Sequence, residues 1–413
     1  MTYRVACIGE PLAEISNGPQ GMQIAFGGDT LNAAIYLARE TTDQDIQVEY
    51  VTVLGEDAAS EGVLDLMQRE GISTEYVRRH PSRNMGIYAL QNDANGERRF
   101  HYWRDRAAAR LLFDQEDRLE ASAIASANLV YLSGITLAIM SEEARARLFN
   151  TLKSKRSTNG RIAFDSNFRT SLWEDTETAR RWVNAFWEIT DIGLPTIEDE
   201  IALFDDVSHQ VLIERLNRIG VKQGALKMGA AGPVPLSGAS YETQYPAADI
   251  VKDTTGAGDS FNGGFLAAYI KGESESSCLS IAHEIAREVI GHKGAILPFN
   301  APNELLRVGS TIRLRPENAQ RYIELHADVW PGVLDRIKAS NISNYSIFLK
   351  EPEHLMFAYF EYTGTDLETD MAAIAADPTT QKWWAVCGPM QDPFETRKEG
   401  EWWAEMKQVF SMK

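Results

Sequence analysis

The chain has 413 residues, 44% of them hydrophobic, which is enough to bury large cores and predicts two or more domains. A formal net charge of −18 argues against nucleic acid or an anionic membrane surface as a partner. Cys7, Cys278 and Cys387 lie far apart, and no apolar run approaches the length of a membrane span. These features predict a soluble, cytoplasmic protein without a cysteine-based metal site.

Short apolar strands alternate with amphipathic helices through the first part of the chain. Residues 4–8 and 51–55 read as buried strands, and residues 61–71 read as a helix. This alternation predicts a parallel sheet with helices on both faces. The segment that carries Pro233 and Pro235 is expected at a sheet edge or in a loop, since proline cannot donate to a neighbouring strand.

A glycine turn opens the first long helical pattern. Gly27 and Gly28 would let the backbone approach a ligand, and Asp29 and Asn32 could bond to its hydroxyl groups. Aspartate and threonine are also common helix caps. The local pattern therefore fits a ligand site and an ordinary capped helix start equally well.

Residues 86–104 read as two strands around Asn95-Gly96, a dipeptide typical of tight hairpins. Strand alternation places Tyr102 and Arg104 on one face. Such a face suits a polar, anionic ligand beneath a lid, and it is equally compatible with a half-exposed sheet surface.

The segment Asp253–Phe265 carries the clearest chemical pattern. Gly256, Ala257 and Gly258 leave the backbone amides open to an anion, and a helix beginning near Asp259 would add its positive end. A carboxylate at Asp259, beside the bound anion, is best explained as a base acting on a hydroxyl that attacks a phosphoryl group. The alternative is a glycine-rich helix start packed closely against a sheet.

Two other glycine motifs do not fit this segment. Phe261 stands where the dinucleotide fingerprint needs a third glycine, and the Gly-Lys-Ser/Thr of a Walker loop is absent. The stretch from Asp253 to Leu266 instead resembles the second signature of the ribokinase-like (PfkB) carbohydrate kinases. That resemblance implies an α/β three-layer sandwich with a small β lid over residues 1–303. It also implies ATP and Mg²⁺ as cofactors, K⁺ as a further candidate, Asp259 as the catalytic base and Gly256 to Gly258 as the anion hole.

Further motifs are similar to those of the 2-keto-3-deoxygluconate kinases. They are Gly27–Asn32, Gly96–Arg98, Tyr102–Arg104, Ser133–Ile135 and Phe164-Asp165 with Asn167 and Arg169. The predicted sugar-acid contacts, from this similarity and the local pattern together, are Gly27, Gly28, Asp29, Asn32, Tyr88, Tyr102, Arg104 and Arg169. An arginine fork matches a planar carboxylate well, which agrees with that prediction.

The same resemblance predicts the nucleotide side and the metal. Lys227, Gly229 and Gly232 would line the nucleotide, and Asp253 would order the loop. Glu200 matches the glutamate of an acidic motif that organises Mg²⁺ through water, although Ile197 stands where that motif usually has asparagine.

The alternation stops near residues 300–309, where we expect a domain boundary. Residues 309–413 contain five of the nine tryptophans and read as strand, helix, strand, strand, helix and tail. This order predicts an α+β ferredoxin-like sheet with helices on one face. The helix expected over residues 317–338 should kink or break at Pro331.

Tyr322, His326 and Trp330 fall on one stripe of that helix. By itself, a histidine there is more often structural than a proton carrier. The stripe, together with Trp383-Trp384 and the 401–410 tail, resembles the L-rhamnose mutarotase family, which includes enzymes acting on L-fucose. The resemblance implies His326 as the proton donor and a sugar bound by Tyr322, Tyr345, Trp383 and Trp384. It also implies a dimeric α/β barrel and hence a homo-oligomer.

Together these patterns predict a bifunctional sugar enzyme: a sugar-acid kinase and an aldose mutarotase, with small-molecule sugars as partners. Two alternatives stay open from the sequence. The second domain could serve only assembly or regulation of a kinase for a different sugar, or the chain could be a sugar-acid sensor without turnover.

Overall fold

In the computed structural model of the protein, the described residues are 2–18, 21–42, 45–92, 98–115, 118–158, 160–240, 245–248, 250–298, 306–364, 367–398 and 401–410. The chain forms two compact units, Met1–Leu297 and Pro298–Lys413. The division falls just before the segment in which the sequence places the domain boundary.

The first unit is built around a mostly parallel sheet. Its strands, with those of the smaller sheet described below, are β1 (Tyr3–Ile8), β2 (Leu12–Gly18), β3 (Gly21–Gly27), β4 (Ile46–Leu54), β5 (Val77–Arg79), β6 (Gly86–Asn92), β7 (Arg98–Trp103), β8 (Leu129–Ser133), β9 (Arg161–Asp165), β10 (Ile192–Gly193), β11 (Gln223–Lys227) and β12 (Pro233–Pro235). The central sheet has the order β12-β11-β10-β9-β8-β1-β4-β5. Strand β12 is antiparallel and lies at the edge, which confirms the position predicted from its prolines.

Helices cover both faces of this sheet, as predicted. They are α1 (Asp29–Glu40), α2 (Ala58–Arg69), α3 (Arg118–Ser126), α4 (Gly134–Ala138), α5 (Glu142–Ser157), α6 (Thr176–Ile189), α7 (Ile197–Phe204), α8 (His209–Arg218), α9 (Ala257–Ile270) and α10 (Glu275–Ile290). Successive residues of β1 enter different cores, because side chains alternate along a strand. Val5 and Cys7 belong to the core shared with α1, α2, α9 and α10, and Ala6 and Ile8 to the core shared with α3 to α8.

A small second sheet has the strand order β3-β2-β6-β7. Strand β2 follows directly after β1, and β3 leads into α1, so the chain attaches this sheet at the carboxyl end of β1. Strands β6 and β7 pair antiparallel, as predicted for a hairpin. The Asn95-Gly96 turn itself lies outside the described residues.

The second unit contains an antiparallel sheet with the order β14-β15-β13-β16, and a further strand, β17, also pairs with β13. Its elements are β13 (Leu306–Leu314), α11 (Ala319–Ala327), α12 (Pro331–Ala339), β14 (Ile342–Lys350), β15 (Leu355–Tyr362), α13 (Leu367–Ala376), α14 (Pro378–Cys387), β16 (Gln391–Asp392) and β17 (Ala404–Met406). Along β15, Met356, Ala358, Phe360 and Tyr362 are buried while their neighbours are half-buried, so one face carries the core.

The helix expected over residues 317–338 is two helices, because Pro331 lacks a backbone N–H and starts a new one, which confirms the break predicted there. One feature of this unit differs from the sequence prediction. The tail contains a further helix, α14, whose start at Pro378 is capped by Asp377. This unpredicted helix carries Trp383 and Trp384.

Candidate active sites

Helix α9 begins at Ala257, two residues before the predicted start, so Ala257 and Gly258 lie in its first turn. Gly256 caps the helix with φ +77°, and a Cβ there would lie 2.6 Å from the Cβ of Ala295. The first amides of a helix have no acceptor within it, and the positive end of the helix dipole reinforces them. The segment can therefore bind an anion through its backbone.

Asp253 holds the loop in front of this helix. Its carboxylate accepts hydrogen bonds from the amide of Thr255 (3.0 Å) and from the amide of Gly294 (2.9 Å). These bonds tie the loop to the segment that follows α10. The geometry fits the ordering role predicted for Asp253.

Asp259 lies in the first turn of α9, where α1 packs against it. Asn32 of α1 donates a 2.8 Å hydrogen bond to its carboxylate. Burial raises the pKa of Asp259 to about 7 and the Asp29 carboxylate acts in the same direction, while Asn32 and Lys227 oppose the shift. A carboxyl group that titrates near 7 suits a general base at neutral pH.

Asp29 is the first residue of α1 and follows Gly28, whose φ is +133°. A Cβ at Gly28 would lie 2.4 Å from the backbone oxygen of Glu10, so the turn requires glycine. Asn167, just after β9, donates a 2.9 Å hydrogen bond to Asp29. Burial raises the pKa of Asp29 too. The structure thus brings Gly28, Asp29 and Asn32 to Asp259, while Gly27 is the last residue of β3.

Lys227, which was predicted to line the nucleotide, is held by side chains of the protein. Its ammonium group is buried and donates to Asp165 (2.7 Å) and to Asn262 (3.0 Å). Asn262 donates in turn to Asp165 (2.7 Å) and to the hydroxyl of Tyr131 (3.0 Å). A Cβ on Gly258 would lie 3.6 Å from the Lys227 nitrogen, so this cation sits close to the first turn of α9.

Tyr88, Tyr102 and Arg104 come together on the smaller sheet. The two tyrosine rings lie 5.7 Å apart, and the Arg104 guanidinium lies 5.7 Å from the Tyr102 ring centre. Arg104 is buried and forms an ion pair with Glu10, and its Nε has no partner among the described residues. Tyr88 donates to Glu14. Three of the predicted sugar-acid contacts therefore lie together, with Glu10 and Glu14 paired to two of them.

Arg169 is half exposed, with 51% of its side chain accessible, and its Nη1 donates to Asp199 (3.1 Å). Burial raises the pKa of Asp199 to about 6, against the opposing effect of Arg169. Glu200, the predicted metal residue, is fully buried and forms an ion pair with Arg215. Its carboxylate is thus engaged by a cation of the protein, and the metal role stays a prediction without geometric support.

Gly229 and Gly232 bound a 3₁₀ turn between β11 and β12. Gly232 packs against Tyr245, whose ring lies 5.2 Å from that of His283. These contacts do not test the predicted position of Gly229 and Gly232 beside a nucleotide.

In the second unit, His326 lies within an aromatic cluster. Its ring stacks on Tyr322 at 4.1 Å and meets the edge of Trp383 at 5.2 Å, and Trp330 lies 5.3 Å from Trp383. The Nδ1 of His326 lies 3.0 Å from the backbone oxygen of Tyr322, which can only accept. Nδ1 therefore carries a hydrogen, and Nε2 is the atom that can exchange a proton with a ligand. Burial lowers the pKa of His326.

Tyr345 joins this face through a bulge in β14 between Ser343 and Ser346, and its ring meets the edge of Phe360 at 5.6 Å. Trp384 behaves differently from Trp383. It is the next residue on α14, so it points roughly 100° away, and it is 46% exposed while Trp383 is 5% exposed. The structure thus brings Tyr322, Tyr345 and Trp383 to the histidine side of the sheet and leaves Trp384 on another face of its helix.

Several residues of the two sites were not predicted. Glu10 follows the carboxyl end of β1, a position where parallel sheets bind ligands, so this signal could have identified it. Asn262 lies one helical turn after Asp259, on the signature itself. Gln391 donates a hydrogen bond to Tyr322, and Trp402 donates one to Gln391. No local sequence pattern indicates these long-range contacts.

Comparison with known proteins agrees with this geometry. Residues 4–302 match the family model described as pfkB family carbohydrate kinase, and residues 307–412 match that of L-rhamnose mutarotase. The 2-dehydro-3-deoxygluconokinase of Dickeya dadantii is 36% identical over 306 residues, covering 73% of this chain and 98% of that protein. The enzyme of the same name from Haemophilus influenzae is 38% identical over 302 residues, covering 71% and 95%.

A solved structure supports the fold. The crystal structure of fructokinase with bound ATP from Xylella fastidiosa has a TM-score of 0.61 at 20% identity, and covers 71% of this chain and 94% of its own. Within the described residues, the helices are too short or too polar to cross a membrane. The chain belongs to the pfkB family of carbohydrate kinases, with a ribokinase-like first unit, and carries an L-rhamnose mutarotase domain over residues 307–412.

Proposed function

We propose that the first unit transfers the γ-phosphoryl group of ATP to a hydroxyl of a sugar acid, with 2-keto-3-deoxygluconate (2-dehydro-3-deoxygluconate) as the substrate. The observation that carries this proposal is Asp259, a carboxyl group with a pKa near 7 at the amino end of α9. Asp259 takes the proton of the attacking hydroxyl, and the new oxygen–phosphorus bond forms as the bond to ADP breaks. The amides of Gly256 to Gly258 hold the phosphoryl oxygens during transfer.

The sugar-acid substrate is supported by two observations. Relatives 36–38% identical to this chain are named for that activity. Arg104 beside the Tyr102 ring and Arg169, four residues after the end of β9, also supply guanidinium groups, and a guanidinium is the usual partner of a carboxylate. Asp29 and Asn32 hold the hydroxyl groups of the sugar.

ATP as the phosphoryl donor is supported by the fructokinase structure with bound ATP and by the backbone anion site at the start of α9. Mg²⁺ would be held by the phosphate oxygens of ATP and would neutralise their charge. Among the described residues, no cluster of three or more His, Cys, Asp or Glu side chains could hold a metal by itself. K⁺ remains a further candidate without a contact that supports it.

We propose that the second unit interconverts the anomers of an aldose such as L-rhamnose or L-fucose. The supporting observation is His326, whose Nδ1 hydrogen is fixed by a backbone oxygen, so that Nε2 is left as the proton-exchanging atom of a ring within the aromatic cluster. Proton delivery to the ring oxygen opens the hemiacetal, and a proton leaves the anomeric hydroxyl. Tyr322, Tyr345 and Trp383 hold the sugar face.

Oligomerisation through the second unit is part of the same proposal. Phe348 of β14 is 61% exposed, and its register partner Phe357 on β15 lies on the same side of the sheet, opposite the helices. A sheet face that presents aromatic side chains is suited to pairing with a second copy. Equilibrium sedimentation of the protein would show whether it forms dimers or larger assemblies.

Paired single variants test the two activities in the full chain. Asp259→Asn is expected to lose phosphoryl transfer to 2-keto-3-deoxygluconate and to retain anomer exchange, and His326→Gln is expected to do the reverse. ATP turnover is measured by coupled ADP release over a panel that includes fructose and ribose, and anomer exchange by saturation-transfer NMR.

Three results of that test would favour other readings. Turnover with a neutral sugar and none with the sugar acid would keep the kinase and reject its proposed substrate. Binding of the sugar acid without ATP turnover would favour a sensor. An unchanged exchange rate in His326→Gln, or none in the wild type, would leave the second unit as an assembly or regulatory module.

A further inference from the structure

Two hydrogen bonds join three side chains at the second site, Trp402, Gln391 and Tyr322. The indole Nε1 of Trp402 lies 2.6 Å from Oε1 of Gln391, and Nε2 of Gln391 lies 3.1 Å from the hydroxyl oxygen of Tyr322. Gln391 is 7% exposed and Tyr322 is 4% exposed. We call these three residues the relay.

The indole N–H of Trp402 determines which atom donates and which accepts in each hydrogen bond of the relay. An indole N–H can only donate, so the amide atom of Gln391 that faces Trp402 must be its oxygen. The amide nitrogen of Gln391 then faces Tyr322, and it can only donate. The Tyr322 oxygen consequently accepts, and the hydrogen of the Tyr322 hydroxyl is left to donate elsewhere.

That hydrogen has no acceptor among the contacts that the described residues make with Tyr322. A buried donor without an acceptor is costly, so a ligand oxygen at this point would be favoured. His326 stacks on the Tyr322 ring at 4.1 Å, and the edge of Trp383 meets the His326 ring at 5.2 Å. The unmatched donor is thus carried by a member of the aromatic cluster around His326.

We propose that Gln391 and Trp402 are positioning residues that hold Tyr322 as a hydrogen-bond donor to an oxygen of the bound sugar. This inference rests on the proposed mutarotase function and deepens it. Every sugar oxygen can accept from Tyr322, and we assign the ring oxygen of the pyranose because it can only accept and is the atom that must be protonated for the ring to open. The relay would then orient the ring oxygen beside His326.

Two substitutions at Gln391 separate this role from a structural one. Gln391→Glu can keep both hydrogen bonds, because a carboxylate accepts from Trp402 and from Tyr322. The Tyr322 hydroxyl then donates its hydrogen bond to the glutamate and no longer to the sugar. Gln391→Met breaks both bonds and leaves the Tyr322 hydrogen available. A purely structural role predicts that methionine is the more damaging change, and the relay predicts that glutamate is.

The experiment measures anomer exchange by saturation-transfer NMR at pH 8, well above the ordinary pKa of a carboxyl group. Tyr322→Phe and Gln391→Glu are each expected to lower kcat/KM by about five- to tenfold, the effect of one neutral hydrogen bond. Gln391→Met is expected to lower it by less than about threefold, and Gln391→Glu should add nothing in the Tyr322→Phe background. Equal losses in the glutamate and methionine variants, or wild-type activity in Gln391→Glu, would overturn the proposal.

A second readout does not depend on turnover. In ¹H–¹⁵N spectra, Gln391→Met is expected to shift the Trp402 indole proton, and Tyr322→Phe to shift a side-chain amide proton of Gln391. If these protons do not move, the relay is absent in solution and the inference fails. If they move but the wild type exchanges no anomers, the proposed function fails while the relay stands.

Discussion

The side-chain nitrogen of Asn32 donates a 2.8 Å hydrogen bond to the carboxylate of Asp259, across 227 residues of sequence. The bond joins the first helix of the kinase unit to its signature helix. It also opposes the burial that raises the pKa of Asp259 to about 7. Burial is therefore the main cause of the raised pKa of the proposed base, and a contact between two helices moderates it.

The first prediction concerns the pH dependence of the kinase. A base must be ionised to accept a proton, so kcat is expected to rise with pH through about 7 and to level off above it. Asp29→Asn removes a neighbouring negative charge, which should lower the pKa of Asp259 and move this rise to lower pH. The profile is measured at saturating substrate. A rise that stays in place in Asp29→Asn would contradict the coupling.

The second prediction concerns stability. The pKa of Asp259 is higher in the folded state than its ordinary value of 3.8, so its stabilising contribution is complete below pH 4 and is lost as pH rises through about 7. Asparagine cannot ionise, so Asp259→Asn avoids the loss of stability that wild type undergoes when Asp259 becomes charged. The variant should have a free energy of unfolding at pH 8 that is about 1–3 kcal/mol higher than wild type. Thermal unfolding at pH 5 and pH 8 checks it. A gain as large at pH 5 as at pH 8 would refute the titration.

The third prediction uses glycines at the two ends of α9. Gly256→Ala should destabilise by about 1–3 kcal/mol and reduce kcat strongly, because φ is +77° and the new Cβ would meet Ala295 at the anion site. Gly272→Ala is the matched control: its φ is +81°, and nothing lies within 4 Å of the added Cβ. It should cost about 1 kcal/mol and leave kcat unchanged. Equal effects on kcat would argue against a specific role for Gly256.

The fourth prediction tests recognition of the substrate carboxylate. Arg169→Met should raise the KM for 2-keto-3-deoxygluconate by tenfold or more, the loss expected for a charge-assisted hydrogen bond, of about 1.5–3 kcal/mol. Stability should fall only slightly, because Arg169 is 51% exposed, although its partner Asp199 is 16% exposed. Arg180→Met is the control, since Arg180 is exposed to a similar degree, 44%, and pairs with Asp205. An unchanged KM in Arg169→Met would remove Arg169 from the site.

The fifth prediction contrasts two neighbouring tryptophans. Trp383→Phe should weaken sugar binding and lower Tm, because Trp383 is buried against His326 and Trp330. Trp384→Phe should change both by little, because that side chain is 46% exposed on another face of α14. Sugar affinity is measured by NMR titration of each variant. A larger binding loss in Trp384→Phe would restore its predicted role as a sugar contact.

Local sequence rules were sufficient for much of the architecture. Alternating apolar strands and helices predicted the layered first unit, prolines placed β12 at an edge, and Pro331 divided α11 from α12. These rules work because the geometry they use is contained within a few consecutive residues. The start of α9 was predicted two residues late, since glycine and alanine give little indication of which residue takes the first helical turn.

The sequence by itself determined which residues could do chemistry: a carboxylate after a glycine loop, an arginine-bearing hairpin and a histidine between aromatic rings. The tertiary structure decided how those groups are paired. Lys227 is held by Asp165 and Asn262, Glu200 by Arg215, and Tyr322 by Gln391, each across a gap in sequence that no periodicity can span. Hydrogen bonds and charges act over a few ångströms, so their partners become known when the chain has folded and distant segments lie side by side.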